Sequence, residues 1–209
     1  MTTSCVELLE RETGAFVAVD LHRELKVADV VLAERSWSSK RADLMAALLK
    51  ENVPRAQWPQ SLHWDWRAKA PDLKLLEARG FGIHAESGSQ GLMLTKNTRH
   101  VTRLKDDAGK PLVYVDFLET APWNWSSEPL KVRGRFGRIG SLLFREAVLH
   151  SRDEGFHGRV GLHALPQSEA FYEGHFGLTR IGPDASKQGL VYLEFTRKQA
   201  EQFLKEGGG

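Results

Sequence analysis

Apolar residues along the chain fall into alternating and helical runs, separated by turn-forming residues. Leu25, Val27 and Val31 stand in phase around Asp29, a segment read as an early strand with a helix as the alternative. Ser38 or Ser39 then caps a predicted helix carrying Leu44, Ala47 and Leu48, which ends near Lys50 ahead of Val53-Pro54. Residues 55–71 hold Trp58, Trp64, Trp66, His63, Pro59 and Pro71 and predict a structured loop or short helices. Residues 81–86 and 90–95 flank Ser87-Gly88-Ser89 and predict a hairpin. Asp106-Asp107-Ala108-Gly109 marks another turn, and 111–120 is the clearest strand in the sequence. Residues 140–150 predict a helix with Leu143, Ala147 and His150 on one stripe, stopped at Gly155. Strands at 160–164 and 190–195 bracket a brief helix opened by Pro166 and running through Tyr172. Thr196 and Gln199 form a capping box for a last helix.

That order predicts an α/β fold. An antiparallel meander comes first and strand–helix–strand crossovers follow, so the sheet should be mixed rather than purely parallel. A length of 209 residues, 41% hydrophobic and 27% charged, suits one globular domain over 1–206. Residues 1–24 stand as a candidate N-terminal extension and Gly207-Gly208-Gly209 as a flexible tail.

Charge and cysteine content remove several function classes. The balance is 29 − 27 = +2, too small to hold nucleic acid or an anionic membrane through a global field. Cys5 is the only cysteine, which excludes an intrachain disulfide or a cysteine-built zinc site and suits a reducing compartment. Glu7, Glu10, Arg11 and Glu12 interrupt the start, leaving no signal-peptide pattern, and no run of about 18 apolar residues occurs. The expectation is a cytoplasmic protein with no membrane and no nucleic-acid partner. His-Glu-x-x-His and Gly-x-Ser-x-Gly are missing from the sequence, so metallohydrolase and serine-hydrolase readings have no residues to stand on.

Locally the charge is concentrated. No acid lies between Glu128 and Glu146, while Lys131, Arg133, Arg135, Arg138 and Arg145 supply five positive charges. Gly134, Gly137 and Gly140 fall in the same stretch, just ahead of a predicted helix, where unsatisfied N–H groups and the helix dipole favour an anion such as a pyrophosphate. The plainer alternative is an arginine-rich surface turn whose glycines permit the bend. The spacing is neither that of a Walker loop, which needs Gly-Lys-Ser/Thr, nor the Gly-x-Gly-x-x-Gly of a dinucleotide fold.

Arg135-Phe136-Gly137-Arg138-Ile139-Gly140-Ser141 resembles the Arg/Gln-x-x-Gly-x-Gly/Ala signature of the GNAT superfamily of N-acyltransferases. Leu118-Glu119-Thr120-Ala121-Pro122 is similar to the end of that family's fourth strand, and Phe171-Tyr172 with Phe176-Gly177 to its later aromatic segment. Three departures stand out: Arg138 replaces the first glycine, Leu165 replaces a common asparagine, and residues 124–132 resemble an insertion.

The resemblance implies a GNAT-like mixed, mostly antiparallel central sheet flanked by helices. It implies an N-acetyltransferase that takes the acetyl group from acetyl-CoA, its co-substrate, to a primary amine by direct attack in a ternary complex, with no metal. On that reading Leu118 and Thr120 pair with the pantetheine arm through backbone, and Arg135, Phe136, Gly137, Arg138, Ile139, Gly140 and Ser141 surround the pyrophosphate. Tyr172 is the proton donor to the thiolate and Asp116 or Glu119 the base, the two carboxylates facing opposite sides of one strand. Trp123, Trp64 and Trp66 form an aromatic wall for the acceptor, with core packing as the alternative. His163 is a further candidate for passing a proton through water, though a lone histidine there is more often structural. The acceptor is a small-molecule amine or a protein or peptide amine, and a homodimer is an allowed assembly. The alternative function is a catalytically silent acyl-CoA-binding module, and nucleic-acid binding by residues 131–145 is disfavoured by the net charge.

Overall fold

The computed structural model describes residues 3–206, so the triple-glycine tail lies outside the described residues. Among the described residues there are nine strands: β1 (Thr3–Glu10), β2 (Phe16–His22), β3 (Ala78–Ala85), β4 (Gly88–Lys96), β5 (Val113–Thr120), β6 (Phe136–Gly137), β7 (Val160–Ala164), β8 (Thr179–Asp184) and β9 (Leu190–Phe195). Four α-helices accompany them: α1 (Val27–Lys50), α2 (Trp66–Lys69), α3 (Ile139–Asp153) and α4 (Arg197–Lys205). The hydrogen-bonded strand order is β6-β1-β2-β3-β4-β5-β7-β9-β8. The β1–β2, β1–β6, β2–β3, β7–β9 and β8–β9 pairs are antiparallel, whereas β5 and β7 run parallel. This is the mixed, mostly antiparallel sheet flanked by helices that the sequence predicts.

The segment around Val27 is helical, not a strand. Asp29 at the third helical position accepts the Lys26 N–H at 2.8 Å, satisfying one donor at the helix start. Val30, Ala33, Glu34, Trp37, Arg41 and Leu48 are buried, a helical stripe rather than a period-two face. Ser38 and Ser39 lie inside this helix and do not cap it. Ser38 returns its hydroxyl hydrogen to the Arg35 carbonyl at 3.2 Å, a bond that lets serine sit in a helix interior.

Strands β1, β2, β6 and β8 have no counterpart in the sequence reading. Strand β1 interleaves Glu7 and Glu10 with its apolar residues and is only partly buried, and β8 carries Gly182 and Pro183 in a mostly exposed row. Strands β7 and β9 fall at their predicted bounds, as do the Gly155 stop of α3, with φ +76°, and the Thr196–Gln199 capping box of α4.

The chain divides into two compact units. The first comprises Met1–Leu76, Gly80–Leu92 and Glu119–Gly140. Its core holds Leu8, Leu21, Ile83 and Phe136, with Trp37 edge-on to Trp66 at 6.3 Å. The second comprises Glu77–Arg79, Met93–Leu118 and Ser141–Gly209. Phe144 of α3 is its hub: Phe176 stacks on it at 4.5 Å, and Phe195 and Phe203 meet it edge-on at 5.4 and 6.0 Å.

Candidate active site

The chain leaving β5 makes one short 3₁₀ turn, Pro122–Asn124, and then folds back to form β6 and start α3. Buried Asn124 organises this return. Its side-chain amide donates to the Gln90 backbone and side-chain oxygens at 3.2 and 3.1 Å, and its Oδ1 accepts the Phe136 N–H at 3.0 Å. The Arg135 N–H donates to the Trp123 carbonyl at 3.1 Å and the Gly134 N–H to Ser126 Oγ at 3.2 Å. A Cβ on Gly134 would stand 2.0 Å from the Asn124 carbonyl oxygen, so the close backbone approach requires glycine.

These bonds narrow the expected anion cradle. Of residues 135–141, Arg135 and Phe136 already spend their amides inside the protein, and Phe136 and Gly137 pair with Glu10 and Leu9 of β1. The donors that helix geometry leaves without intrahelical partners are those of the first turn of α3, from Ile139 onward. Arg138, at the position of the signature's first glycine, has φ +70°. The left-handed backbone that glycine adopts freely is therefore kept by an arginine, at a cost of about 1 kcal/mol. Its guanidinium lies 5.6 Å from the centroid of the Phe16 ring. Arg135 reaches Glu10 at 3.4 Å and remains half exposed.

In the second unit, β5 and β7 pair at Val113–Val160, Tyr114–Gly161 and Val115–Leu162, and the ladder ends there. Strand β7 continues through His163 and Ala164 on its other partner, β9, and β5 runs on to Thr120. The two parallel strands part after three residue pairs, so residues 116–118 of β5 lie beyond the β5–β7 ladder. Leu118 is half-buried there. Thr120, beyond it, has its carbonyl engaged by the Trp125 indole N–H at 3.0 Å.

The two strand carboxylates have different surroundings. Asp116 forms an ion pair with Lys96 at 2.7 Å and is largely covered. Glu119 is 3% exposed. Its Oε2 accepts from Arg41 Nη2 at 3.0 Å and from the Trp66 indole at 2.6 Å, and its Oε1 is buried with no partner. Arg41 also grips Glu34 at 2.7 and 3.0 Å, and Glu34 accepts the Trp66 backbone N–H at 3.0 Å. Burial pushes the Glu119 carboxyl up to about 7 against the opposing pull of Arg41 and Trp66. Burial likewise lowers the Lys69 amine, which sits 5.1 Å over the Trp64 ring.

The three tryptophans expected to line an acceptor therefore do separate jobs. Trp66 is buried and holds Glu119, Trp64 carries Lys69, and Trp123 donates to Gln90 Oε1 at 2.8 Å. Tyr172 occupies a π-helical turn, Phe171–His175, buried against Phe144, Phe171 and Phe176. Burial alone, with no hydrogen bond contributing, moves its phenol well above the ordinary pKa. His175 from the same turn lies 3.1 Å from Ser141 Oγ at the start of α3.

Several polar residues escape sequence reasoning. Arg41 reads as a surface helix position, and Tyr114, Arg103 and Asp184 carry no motif; only the tertiary fold brings them to their partners. No group of three or more His, Cys, Asp or Glu able to hold a metal occurs among the described residues. Nor is any helix of the described chain long and apolar enough to cross a membrane.

No protein-family model matches the sequence, and none of the curated proteins does. Solved structures do. FeeM, an N-acyl amino acid synthase from uncultured soil microbes, matches with TM-score 0.54 at 11% identity, over 87% of this chain and 92% of its own. A bacterial toxin matches with TM-score 0.50 at 12% identity, over 67% and 79%. RimJ of Mycobacterium smegmatis, in complex with CoA-disulfide, gives 0.47 at 14%, over 99% and 95%. The chain shares the fold of FeeM and of the bacterial toxin over most of its length.

Proposed function

We propose that the protein is an N-acetyltransferase that moves the acetyl group of acetyl-CoA to a primary amine by direct attack in a ternary complex. The observation that carries this reading is the left-handed Arg138 immediately before α3, in a loop built by Asn124 and Gly134 as a return onto the helix start. That arrangement presents first-turn amides to a diphosphate, and the parting of β5 and β7 supplies an edge for the pantetheine amides. Lys131, Arg133 and Arg138 add positive charge around the same turn.

Within this reading Tyr172 protonates the departing thiolate. Its pKa, raised by burial, keeps the proton in place until a thiolate forms. Asp116 lies just past the last β5–β7 pair and holds an ammonium group near the thioester by charge, in exchange with Lys96. Glu119 secures Arg41 and Trp66 within the first unit.

The test is thermal denaturation with and without acetyl-CoA, followed by thiol release in a panel of α-amino acids, polyamines, aminoglycosides and peptide N-termini. Amino acids are included because the neighbour FeeM is described as an N-acyl amino acid synthase. Stabilisation by acetyl-CoA with thiol release supports the enzyme. Stabilisation without release for any amine supports the silent acyl-CoA-binding module, and no stabilisation removes the cofactor from both.

A further inference from the structure

We propose that Tyr114, backed by His163 and Asp184, is the group that takes the proton from the incoming amine. The inference rests on the acyl-transfer reading and assigns a step that the two strand carboxylates leave open: Glu119 is held by Arg41 and Trp66, and Asp116 is bound to Lys96.

The geometry is a continuous chain within the second unit. Asp184 Oδ2 lies 3.2 Å from His163 Nε2, and His163 Nδ1 lies 2.8 Å from the Tyr114 hydroxyl. A carboxylate only accepts, so Nε2 carries the imidazole hydrogen, Nδ1 is the acceptor, and the Tyr114 O–H donates to it. The tyrosine oxygen keeps lone pairs for a further donor. The Ser186 hydroxyl at 2.6 Å, Arg103 at 2.9 Å and the Ser186 N–H at 3.0 Å hold the Asp184 carboxyl as an anion, its pKa well below the usual range. Position makes the chain relevant. Tyr114 belongs to the second of the three β5–β7 pairs and His163 is the first β7 residue past the last pair, so their hydrogen bond bridges the strands where they separate.

The charged and titratable groups facing this chain come from five segments. His100 stacks on the Tyr114 ring at 4.2 Å, and Lys187 lies 5.8 Å from it. Asp116 acts through space on both His100 and Tyr114, and Lys96 on His100. Tyr192 lies 4.8 Å from His163, beneath Arg103 at 4.1 Å and beside Glu194. Burial lowers His163 below the usual imidazole value, so it is neutral and ready to accept at neutral pH.

In the step proposed, an ammonium N–H proton passes to the Tyr114 oxygen while the Tyr114 hydroxyl proton moves to His163 Nδ1, forming an imidazolium against Asp184. The neutral amine attacks the thioester carbonyl, the C–N bond forms and the C–S bond breaks. The second nitrogen proton ends on the thiolate and His163 returns its own to solvent. Tyr114 is the catalytic residue here; His163 and Asp184 are positioning residues acting through it.

The test combines ¹⁵N-histidine NMR of the parent protein with thiol release from acetyl-CoA, using n-butylamine in excess as the acceptor probe. The expected spectrum shows His163 as the Nε2–H tautomer. His163→Gln should release thiol about 100-fold more slowly at pH 7. It should regain rate as pH approaches the amine's own pKa of about 10.4. Added imidazole should restore activity, and acetyl-CoA should protect the variant from melting as it protects the parent. Tyr114→Phe, which keeps the ring on His100, carries the same pH prediction if His163→Gln does not fold. An Nδ1–H tautomer, a variant with the parent's rate and profile, or a uniform loss that imidazole does not rescue would overturn the relay. So would a parent that acetyl-CoA protects but that releases no thiol with butylamine, which leaves cofactor binding standing. A parent neither protected nor active removes the acyl-transfer reading and the relay together.

Discussion

The Trp66 indole donates to Glu119 Oε2 at 2.6 Å, beside an Arg41 guanidinium shared between Glu119 and Glu34. One cation between two buried carboxylates, with one carboxylate oxygen left unpartnered, is a strained charge arrangement, and it makes stability depend on pH. An acid whose pKa is raised by folding from 4.5 to about 7 binds its proton more tightly in the native chain. The native state therefore loses stability as pH rises across that window and is level above it, by up to about 3 kcal/mol for the full shift. Melting temperatures of the parent should fall between pH 5 and 7 (roughly the window's span), and Glu119→Gln should flatten the slope.

Removing the cation is more severe. Arg41→Met leaves Glu34 and Glu119 buried without their shared partner and should cost about 3–5 kcal/mol in urea unfolding. The triple variant Arg41→Met, Glu34→Gln and Glu119→Gln should recover much of that loss, because no buried charge then remains uncompensated.

Arg138 makes the opposite prediction. Its φ of +70° is a strain that glycine relieves, so Arg138→Gly should be neutral or stabilising by up to about 1 kcal/mol in equilibrium unfolding. Arg138→Ala keeps the strain and should not gain.

Gly134→Ala should behave as a disrupted loop. The added Cβ meets a backbone carbonyl, not a flexible side chain, so the return strand must shift at a cost of about 1–3 kcal/mol. The urea midpoint should drop, and acetyl-CoA should stabilise the variant less than the parent.

Tyr172→Phe separates chemistry from folding. Because no hydrogen bond contributes to the phenol's pKa, removal of the hydroxyl should leave the melting temperature and acetyl-CoA affinity nearly unchanged while lowering kcat about 100-fold.

What could be read directly from the residues follows contact distance along the chain. The loop at 134–141 was legible because its glycines, arginines and helix start are consecutive, and β7, β9 and the α4 cap because alternation or a local hydrogen bond defines each. Helix α1 departs from the strand reading of its start because Leu25, Val27 and Val31 satisfy period two by coincidence, while the buried Trp37, Arg41 and Leu48 that reveal the helical stripe lie beyond that window. The polar networks were invisible for the same reason in stronger form: Arg41 and Glu119 are 78 residues apart, and Tyr114 and His163 are 49 apart.

Calorimetric titration with acetyl-CoA and with acetyl-pantetheine, which has the thioester arm but no diphosphate, isolates the grip of the α3 first turn. Acetyl-CoA should bind at least about 10-fold more tightly, a difference of about 1.4 kcal/mol assigned to the diphosphate and its nucleotide. Equal affinity for the two, or no binding of acetyl-CoA, would contradict a diphosphate site at the start of α3.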